Sequence, residues 1–334
     1  MTKPDKILLA HGSGGTMMRD LIEEVFVDTF SDVQLEDAAT FQVPAGRLAF
    51  STDTFVVNPL FFPGGDIGHL AVCGTVNDVA TAGATPLYLS VGFVLEEGFP
   101  LADLKIILQS MATCAREAGV KIVTGDTKVV GKGAADGIFI NTAGVGIVRE
   151  GVALGAANCQ VGDKILLSGT LGDHGVTIVS QREGMGFGTT LTTDAAPLNH
   201  LIAAVLDAAP DTHVFRDPTR GGLASCLNEI ADASKVNMLV VENEVPVNQQ
   251  VKGACEMLGY DVFQVANEGK MVAIVPAAQA EAALAAMRQA PYGSEAAIIG
   301  EVIAGGGGRV SLRNAFGATR IMDTLVGEQL PRIC

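Results

Sequence analysis

The sequence predicts an α+β protein of two domains, in each of which helices cover a β-sheet. Three observations favour this fold class. The 334 residues suffice for about two domains of ~100–200 residues each. Hydrophobic residues make up 48% of the chain, which is enough for two sizeable cores. Strand-like apolar runs alternate with helix-like amphipathic runs, and the forty glycines fall in short clusters between them, so these clusters indicate turns rather than a disordered tract.

The first half of the chain alternates strands and helices. Four segments have the apolar pattern of strands: RLAFSTDTFVV (47–57), LYLSVGFVLE (87–96), VKIVTGDTKVV (120–130) and GIFINTAGVGIV (137–148). The segment DIGHLAVCGTVNDVATAG predicts a helix with an N-cap at Asp66 and an end at Gly83. The segment LADLKIILQSMATCAREAG predicts an amphipathic helix that stops at Gly119.

The pattern resets around GAANCQVGDKILLSG, so we place a domain boundary near Gly155, between domains 1–154 and 155–334. Helices are predicted by four segments of the second half: GDHGVTIVSQREG, APLNHLIAAVLDAA, GGLASCLNEIADAS and AQAEAALAAMRQA. Strands are predicted by five: KILLSG, NMLVVE, KMVAIVP, AAIIGEVI and RVSLR. Both halves therefore combine a sheet with covering helices.

The charge balance limits the partners of the chain. The formal net charge is −15, which repels nucleic-acid phosphates, and no basic stripe offsets it. The first residues, MTKPDKILLA, lack the long apolar core of a secretory signal. The longest apolar stretch, Val79 to Leu95, is interrupted by Gly83 and Pro86 and is too short to cross a bilayer. We therefore expect a soluble cytoplasmic protein that binds neither nucleic acid nor membranes.

Six cysteines are scattered along the chain, at positions 73, 114, 159, 226, 255 and 334. None forms a C-x-x-C pair, so the sequence suggests neither a zinc knuckle nor a disulfide framework. Five of them lie among apolar neighbours and are expected to be small core residues. The sixth, Cys334, ends the chain behind a Pro-Arg-Ile stalk and has no such explanation.

Several polar residues break the local pattern: Asp53 within a strand, Asn77 and Asp78 within an apolar helix, Asp126 at the end of a strand, Asp217 in FRDPTRGG and Glu268 in VANEGK. A buried carboxylate is costly unless it is paired or binds a metal. One such residue is more often a structural acceptor, whereas several suggest a shared cation. Oxygen ligands without nearby His or Cys favour Mg²⁺, which commonly arrives with nucleotide phosphates.

Two glycine-rich loops are candidate anion sites. The loop HGSGGT, which includes Gly14 and Gly15, offers backbone N–H groups ahead of an amphipathic segment. The loop DPTRGG opens a predicted helix and carries Arg220, so its helix N-terminus can hold an anion. A plain tight turn is the ordinary interpretation of either loop. Neither loop fits the P-loop pattern, and no G-x-G-x-x-G follows a strand. A nucleotide would therefore bind in a way that differs from P-loop and Rossmann folds.

A resemblance to a known family is carried by six segments: HGSGG, STDTFVVNPLFFPGGDIGHLAVCGTVNDVATAGATP, TGDTKVV, RDPTRGGLA, NEGK and PRIC. They resemble the HypE family of hydrogenase maturation factors, and the resemblance covers essentially the whole chain. That family belongs to the superfamily of aminoimidazole ribonucleotide synthetase, selenide water dikinase and thiamine monophosphate kinase. The acids and glycine loops are common to the superfamily, whereas the terminal Pro-Arg-Ile-Cys is specific to the maturation factors.

The resemblance implies an enzyme that uses ATP and Mg²⁺. A carbamoyltransferase, HypF, is expected to load a carbamoyl group onto the terminal cysteine, here Cys334. ATP then drives dehydration of this thiocarboxamide to a thiocyanate. The cyano group passes to an iron held by HypC and HypD and becomes a cyanide ligand of nickel–iron hydrogenase. The resemblance also implies a homodimer of N-terminal halves, with ATP near the shared surface.

The resemblance also suggests which residues hold the metal and the nucleotide. Asp53, Asp78 and Asp126 are expected to ligate Mg²⁺, directly or through water. Asp217 and Asn77 are weaker candidates for the same shell. Contacts with the nucleotide are further expected from Thr127, Lys128, Arg220, Gly14 and Gly15.

Catalytic roles are expected for four residues: Cys334, Glu268, Lys128 and His11. Glu268 is expected to be the base or to hold the amide nitrogen, with a metal-ligand or structural role as the alternative. His11 is a second candidate base, or else stabilises its loop. For Arg332, pairing with a carboxylate or the nucleotide and plain solvation are both left open. The remaining histidines have no motif support and are interpreted as structural or exposed: His69, His174, His200 and His213.

Two rival functions remain at this point. A kinase or selenide dikinase of the same superfamily would act on a free small molecule. A dikinase is expected to carry a reactive Cys or selenocysteine near its N-terminal glycine loop, and HGSGG has neither. A non-catalytic maturation scaffold would use Cys334 to carry a metal, but one terminal thiolate without a second Cys or His in sequence reach makes a poor site.

Overall fold

The computed structural model describes residues 4–13, 15–30, 38–43, 45–182, 190–324, 330 and 332–334. Gly14 of the first glycine loop and Pro331 of the stalk lie outside the described residues. Helices and two large sheets in the described part confirm the predicted α+β class. No helix in these ranges is long and apolar enough to cross a membrane.

The described part of the N-terminal half contains nine α-helices and β-strands, in chain order α1 (Thr16–Leu21), β1 (Leu48–Phe55), β2 (Phe61–Phe62), β3 (Gly65–Asp66), α2 (Ile67–Thr81), β4 (Ala84–Glu96), α3 (Leu101–Ala118), β5 (Lys121–Val130) and β6 (Ile138–Val148). Four strands form a sheet in the order β1-β6-β4-β5. Strand β6 is antiparallel to both of its neighbours, and β4 is parallel to β5. Strands β1 and β5 are therefore the two edges of this sheet.

Helices α2 and α3 follow the predicted segments. The Asp66 side chain caps α2 by accepting from the N–H groups of Gly68 (2.7 Å) and His69 (3.0 Å). Helix α3 ends at Gly119, whose φ of 72° lies in the left-handed region that favours glycine. The two helices approach closely at Gly68, where a Cβ atom would lie 2.5 Å from the carbonyl oxygen of Ile107.

The two faces of the sheet have different surroundings. Asp53 on β1 pairs in register with Thr142 on β6, which is fully buried beneath α2. Asp53 therefore lies on the helix-covered face. Thr142 also pairs with Val91 on β4, so Asp53, Thr142 and Val91 form one row across the sheet. Asp126 on β5 pairs with Gly92, the residue after Val91, and therefore belongs to the next row. Because successive side chains alternate between faces, Asp126 lies on the opposite, open face.

Among its described residues, the C-terminal half contains twelve α-helices and β-strands: β7 (Lys164–Leu167), α4 (Asp173–Arg182), α5 (Asn199–Ala208), β8 (Val214–Arg216), α6 (Gly222–Ser234), β9 (Asn237–Val241), α7 (Gln249–Leu258), β10 (Val272–Val275), α8 (Ala280–Gln289), β11 (Ala297–Ile303), β12 (Val310–Arg313) and β13 (Thr319–Ile321). Its strands form a seven-stranded sheet in the order β13-β12-β9-β11-β7-β10-β8. The predicted boundary near Gly155 lies between the end of β6 and the start of β7.

Some elements escaped prediction. Helix α7 buries Val251, Ala254 and Cys255, whose spacing is helical, but its polar start and its central Gly253 weaken the pattern. Strands β8 and β13 have three residues each. The pair β2 and β3 has two residues per strand, too few to show a period. The five cysteines predicted to be core residues are all buried.

Candidate active site around the docked C-terminus

A cavity of about 490 Å³ lies between the first sheet and the second half of the chain. Its walls come from β1, α2, the beginning of α6 and the last residue. The structure brings six predicted site residues to this cavity: Asp53, Asp78, Asp217, Arg220, Glu268 and Cys334. Because they come from five distant segments, folding rather than sequence proximity assembles this group.

The C-terminal tail is docked against the segment that follows β1. The Val56 N–H donates to the carbonyl oxygen of Cys334 (3.0 Å), and the Asn58 N–H donates to that of Arg332 (3.3 Å). The Nε of Arg332 donates to the carbonyl oxygen of Val56 (2.9 Å), and its guanidinium pairs with Asp136. Arg332 thus has a carboxylate partner, which was one of the alternatives left open by the sequence. These contacts hold Cys334 at the cavity wall.

His174 holds the same tail through Ile333. Its ring is fully buried, with Nε2 2.7 Å from the Ile333 carbonyl oxygen and Nδ1 2.8 Å from Thr193 Oγ1. Since a carbonyl oxygen only accepts, Nε2 carries the proton and Nδ1 accepts from the Thr193 hydroxyl. Thr193 Oγ1 in turn accepts from the Ala195 N–H (3.0 Å). Burial lowers the pKa of His174, which favours this neutral form.

Asp53 and Asp78 line the cavity from β1 and α2. Ser51 Oγ donates to Asp78 Oδ2 (2.8 Å), and Asp53 Oδ1 accepts from the Thr54 N–H (2.7 Å). Gly74 of α2 allows the helix to approach β1 closely, because a Cβ there would lie 2.9 Å from Phe55 Cζ. Burial and then the charge of Asp53 raise the pKa of Asp78. Carboxylates that repel one another in a cavity favour a bound cation.

Asp217 adds a third carboxylate to this wall. Burial, and then the charge of Asp78, raises the pKa of Asp217 from its ordinary 3.8 to about 7, although the neighbouring Arg216 opposes the shift. Asp217 is therefore partly protonated near neutral pH when no cation balances its charge. A divalent cation in the cavity would displace this proton.

Glu268 lies at the cavity wall with Cys334 and is 4% exposed. Its backbone N–H donates to Asp194 Oδ1 (3.1 Å), while its side-chain Oε1 is buried without a hydrogen-bond partner among the described residues. Burial first, and then the charge of Asp194, raises the pKa of Glu268 well above its ordinary value. A carboxylate of raised pKa with an unused oxygen, held in a cavity, is suited to proton transfer.

The Cys334 thiol shares this environment. Burial, and then the charge of Glu268, raises the pKa of the thiol well above its ordinary value. The docked sulfur is therefore uncharged at neutral pH. An uncharged group bonded to the sulfur suits this acidic wall, whereas a thiolate does not.

The N-terminus of α6 also meets the cavity. Gly221 and Gly222 have φ values of 77° and 60°. A Cβ on Gly222 would lie 2.6 Å from the Phe263 carbonyl oxygen, so the close approach here requires glycine. Thr219 and Arg220 line the cavity beside these glycines. The helix N-terminus and the guanidinium together form a candidate phosphate site, as the sequence predicts.

Comparisons with known proteins decide the family. The model of the AIR synthase related protein, N-terminal domain, matches residues 35–148, and that of the C-terminal domain matches residues 160–313. The chain is 56% identical over 336 residues to carbamoyl dehydratase HypE of Cupriavidus necator. The alignment covers 99% of this chain and 96% of that protein. This chain belongs to the HypE family.

Solved structures of HypE-family proteins agree. A crystal structure of hydrogenase maturation protein HypE in complex with ATP has a TM-score of 0.95 at 48% identity and covers 98% of this chain and 99% of that chain. A crystal structure of a HypE–HypF complex contains a chain with a TM-score of 0.82 at 49% identity, covering 91% of this chain and 99% of that chain. The predicted resemblance, the two-domain AIR synthase-like fold and the enzyme class are thereby confirmed.

Five predicted site residues of this HypE-family chain lie away from the cavity, at or beside edge strand β5: His11, Gly15, Asp126, Thr127 and Lys128. Lys128 Nζ binds both carboxylate oxygens of Asp126 (2.8 and 2.7 Å), and this lowers the pKa of Asp126. Three strand spacings of 4.7–4.9 Å separate β5 from β1, about 14 Å in all. Within one chain, Asp126 therefore does not share an ion with Asp53, contrary to the predicted common shell.

The first glycine loop packs against this same edge. A Cβ on Gly12 would lie 2.9 Å from Val129 Cβ, so the loop contacts β5 directly. His11 Nδ1 accepts from the Leu8 N–H (2.9 Å), and burial lowers the pKa of His11. In the single chain, His11 thus has the loop-stabilising contact that was its alternative role.

Asn77 has a structural position. Its Nδ2 donates to the Ala196 carbonyl oxygen (3.0 Å), and its Oδ1 accepts from the Leu198 N–H (2.7 Å). Both ends of the amide are therefore used in linking α2 to the segment before α5. Asn77 does not line the cavity, and this structural role is an alternative to its predicted weak place in the metal shell.

Sequence reasoning missed several residues of the HypE-family site. His174 is buried as expected, but its contact with the tail joins positions 159 residues apart and leaves no local signal. Asp194 lies beside Glu268 in a segment without a recognisable motif. Ser51 and Arg216 are different, because each lies within two residues of a predicted acid, and their polar character was a usable signal.

Proposed function

We propose that this chain uses ATP to dehydrate a carbamoyl group carried on its own Cys334, converting a thiocarboxamide to a thiocyanate. The observation that carries the proposal is the position of the terminal thiol. Cys334 is held by backbone hydrogen bonds at the wall of a cavity that also contains Glu268 and three aspartates. Such a tail presents a substrate on the sulfur to a fixed site, which makes the reaction intramolecular.

The chemistry requires two steps on the carried group. The amide oxygen attacks the γ-phosphorus of ATP, ADP leaves, and one N–H proton is lost to give an O-phosphorylated imidate. The C–O bond then breaks, inorganic phosphate leaves with the former amide oxygen, and loss of the second N–H proton completes the C≡N bond. The net change in the tail is the loss of one water, and one ATP becomes ADP and phosphate.

Glu268 supports the proton transfers. Its unpaired Oε1 and its place beside Cys334 allow it to accept a proton from the nitrogen of the carried group. The raised pKa makes its ionised form a stronger base than an ordinary carboxylate. The charge of Arg220 opposes this shift and favours the ionised form.

Mg²⁺ fits the acidic wall. Asp53, Asp78 and Asp217 supply oxygen ligands. Burial first, and then the charge of a neighbouring aspartate, raises the pKa values of Asp78 and Asp217, so a counterion would stabilise their ionised forms. These residues would hold the ion, and the ion would neutralise charge on the transferred phosphoryl group. Arg220 and the α6 N-terminus would bind phosphate oxygens beside it.

A homodimer would join the two separated groups of predicted residues. Leu48 and Phe50 of β1 are 56% and 71% exposed on the open face of the first sheet, and a second copy would cover them. Strands β1 and β5 are unpaired edges of the described sheet. If β5 of one copy approaches β1 of the other, Asp126, Lys128 and the first glycine loop reach the partner's cavity. The proposal assigns the predicted phosphate contacts of Lys128 and Thr127 to this arrangement.

The proposal includes three protein partners. HypF would supply the carbamoyl group, in line with the solved HypE–HypF complex of a relative. The iron-carrying pair HypC and HypD would accept the cyano group from Cys334. Because the reaction consumes ATP, we place the chain in the cytoplasm, where ATP is available.

Removing Cys334 tests this function. We expect the truncated chain to bind Mg·ATP as the full chain does and to lose the ATP turnover that depends on the carbamoyl donor. Unchanged turnover with a free small molecule would instead support the kinase-type rival. Failure of both chains to bind Mg·ATP at millimolar concentration would support the scaffold.

A further inference from the structure

A group of soft ligands lies between α2 and α3. His69 and Cys73 are four residues apart, so they share one face of α2. Cys114 of α3 faces them, with its Sγ 3.3 Å from the Sγ of Cys73. One ligand atom from each of these three residues lies within 4.8 Å of the other two. Cys73 and Cys114 are buried, and His69 is half-buried, which leaves a solvent-facing side.

The packing of the two helices holds this group in place. At Gly68, a Cβ would lie 2.5 Å from the Ile107 carbonyl oxygen and 2.7 Å from Met111 Cγ, so the helix axes are as close as glycine allows. His69 follows this contact directly, and Cys73 lies about one turn further along α2. The convergence of the three side chains is therefore built into the helix pair and does not depend on a mobile loop.

We propose that His69, Cys73 and Cys114 bind a thiophilic divalent cation of the zinc class and so clamp α2 to α3. Zn–S bonds are about 2.3 Å and Zn–N bonds about 2.0–2.1 Å, so ligand atoms around tetrahedral Zn²⁺ lie roughly 3.3–3.8 Å apart. The Sγ–Sγ distance of 3.3 Å is slightly below the ~3.8 Å expected for two sulfurs on one Zn²⁺, and all three ligand atoms lie within 4.8 Å of one another, so small side-chain movements would complete the site. Two cysteines and one histidine leave a fourth position for water or a further ligand.

The electrostatics of the group favour one thiolate. Hydrogen bonding from Cys73 lowers the pKa of Cys114 to about 6, and contact with His69 acts in the same direction. Burial raises the pKa of Cys73 well above its ordinary value, so a bound cation would have to displace the proton of this second thiol. A thiolate is the form that binds zinc. Glu117, one turn after Cys114, adds negative charge beside the group, and its carboxylate accepts from the Tyr292 hydroxyl.

Two simpler interpretations account for less of the geometry. Plain core packing explains two buried cysteines but not a histidine directed at them. A disulfide between Cys73 and Cys114 would need the sulfurs to move from 3.3 Å to about 2.0 Å and would transfer two electrons to an oxidant. It would also leave His69 without a role.

The clamp would act on the candidate active site through α2. Cys73 precedes Gly74, which lines the cavity, and Asp78 lies further along the same helix. A bound cation would stabilise the folded form and keep this helix fixed against α3. Its effect is separate from Mg²⁺ bound by the acidic wall, because the ligands are soft and lie between α2 and α3, whereas Gly74 and Asp78 line the cavity.

Cobalt binding tests the clamp in the full-length chain. A Cys334→Ala background removes the tail thiol as a ligand, and Co²⁺ replaces Zn²⁺ as a spectroscopic probe. We expect one Co²⁺ per chain with thiolate-to-cobalt charge-transfer absorption, protection of two thiols from alkylation, and a rise in the thermal midpoint. Cys73→Ala and Cys114→Ala should abolish the absorption. Cys255→Ala, which removes a buried cysteine elsewhere, should leave it unchanged.

His69→Gln keeps the test decisive if a cysteine variant fails to fold, because His69 is only half-buried. Loss of tight Co²⁺ binding in folded His69→Gln supports the clamp. Absence of charge-transfer absorption in the background chain would overturn it. Charge-transfer absorption that persists in all three single variants would also overturn the clamp. So would an intact mass two hydrogens below that of the reduced chain after purification under reducing conditions, because it would show a Cys73–Cys114 disulfide.

Discussion

His174 Nε2 lies 2.7 Å from the carbonyl oxygen of Ile333, the residue before the terminal cysteine. This contact ties the second half of the chain to the tail, as does Arg182, which donates to the carbonyl oxygen of Arg332. Val56 and Asn58 hold the tail from the first half. The His174 ring donates from Nε2 because the Ile333 carbonyl oxygen only accepts, which leaves Nδ1 to accept from the Thr193 hydroxyl. The position of the reactive sulfur is therefore set jointly by both halves.

Replacing His174 by Phe should weaken tail docking. The variant loses a hydrogen bond worth about 1 kcal/mol, which lowers the ratio of docked to free tail about fivefold. We expect faster alkylation of Cys334 and slower ATP-dependent dehydration in a folded chain. His174→Gln, which keeps an N–H donor, should recover part of both effects. His200→Phe, at an exposed histidine, is the control, and equal alkylation rates in all three chains would remove His174 from tail positioning.

Replacing Asp78 by Asn should leave the fold intact and abolish ATP hydrolysis. Asp78 has one hydrogen bond from Ser51 and otherwise faces the cavity, so an amide fits in its place. The loss of a cation ligand should lower the turnover number about a hundredfold or more. Circular dichroism checks the fold, and Asp28→Asn, at an exposed acid, is the matched control. Turnover equal to that of the control would exclude Asp78 from the site.

Asp217 should make the stability of the nucleotide-free chain depend on pH. Its pKa is 3.8 ordinarily and about 7 when folded, so between these values the folded state holds a proton that the unfolded state releases. The free energy of unfolding therefore falls as pH rises through this window. Asp217→Asn removes this dependence, so its stability relative to wild type should increase from about pH 4 to about pH 8. Denaturant titrations measure it; a constant difference would show that the folded pKa of Asp217 is not raised.

Mixed dimers test the proposed arrangement of subunits. Asp78→Asn and Lys128→Ala chains should each be inactive alone. If Lys128 serves the partner's cavity, co-expressed chains should regain about a quarter of the wild-type activity, since half of the dimers are mixed and each contains one intact site. If Lys128 serves its own chain, each mixed dimer has two damaged sites and activity stays absent. Mass spectrometry of the purified mixture verifies that mixed dimers form.

The sequence predicted most of the N-terminal sheet because its strands and helices are long and strongly patterned. Asp66 indicated the start of α2 because its side chain can cap a helix N-terminus, and Gly119 indicated the end of α3 because glycine readily adopts a positive φ. Both effects are local in the sequence. Strands β8 and β13 were missed because three residues cannot show an alternating pattern. The order of the seven-stranded sheet was also beyond prediction, since it depends on pairing between distant segments.

Local patterns likewise indicated some residues of the candidate site but not others. Asp53, Asp78 and Asp217, which are acids placed against the local pattern, meet at one cavity. The same reasoning did not separate Asp126 from them, because a strand pattern does not show which face or edge of a sheet a residue occupies. It also did not distinguish a metal-shell role of Asn77 from a structural one, since an amide within an apolar helix serves equally well as a structural link.

The central claim is that the sulfur of Cys334 carries the group from which water is removed. Intact-mass analysis of the chain after incubation with the carbamoyl donor system, before and after ATP, tests it most directly. The wild-type chain should gain one carbamoyl group on Cys334 and then lose one water when Mg·ATP is added. Glu268→Gln should gain the carbamoyl group and keep the water, while Glu256→Gln, at an exposed acid, should behave as wild type. A carbamoylated wild-type chain whose mass stays constant after ATP addition, or a carbamoyl group found elsewhere than on Cys334, would contradict the account.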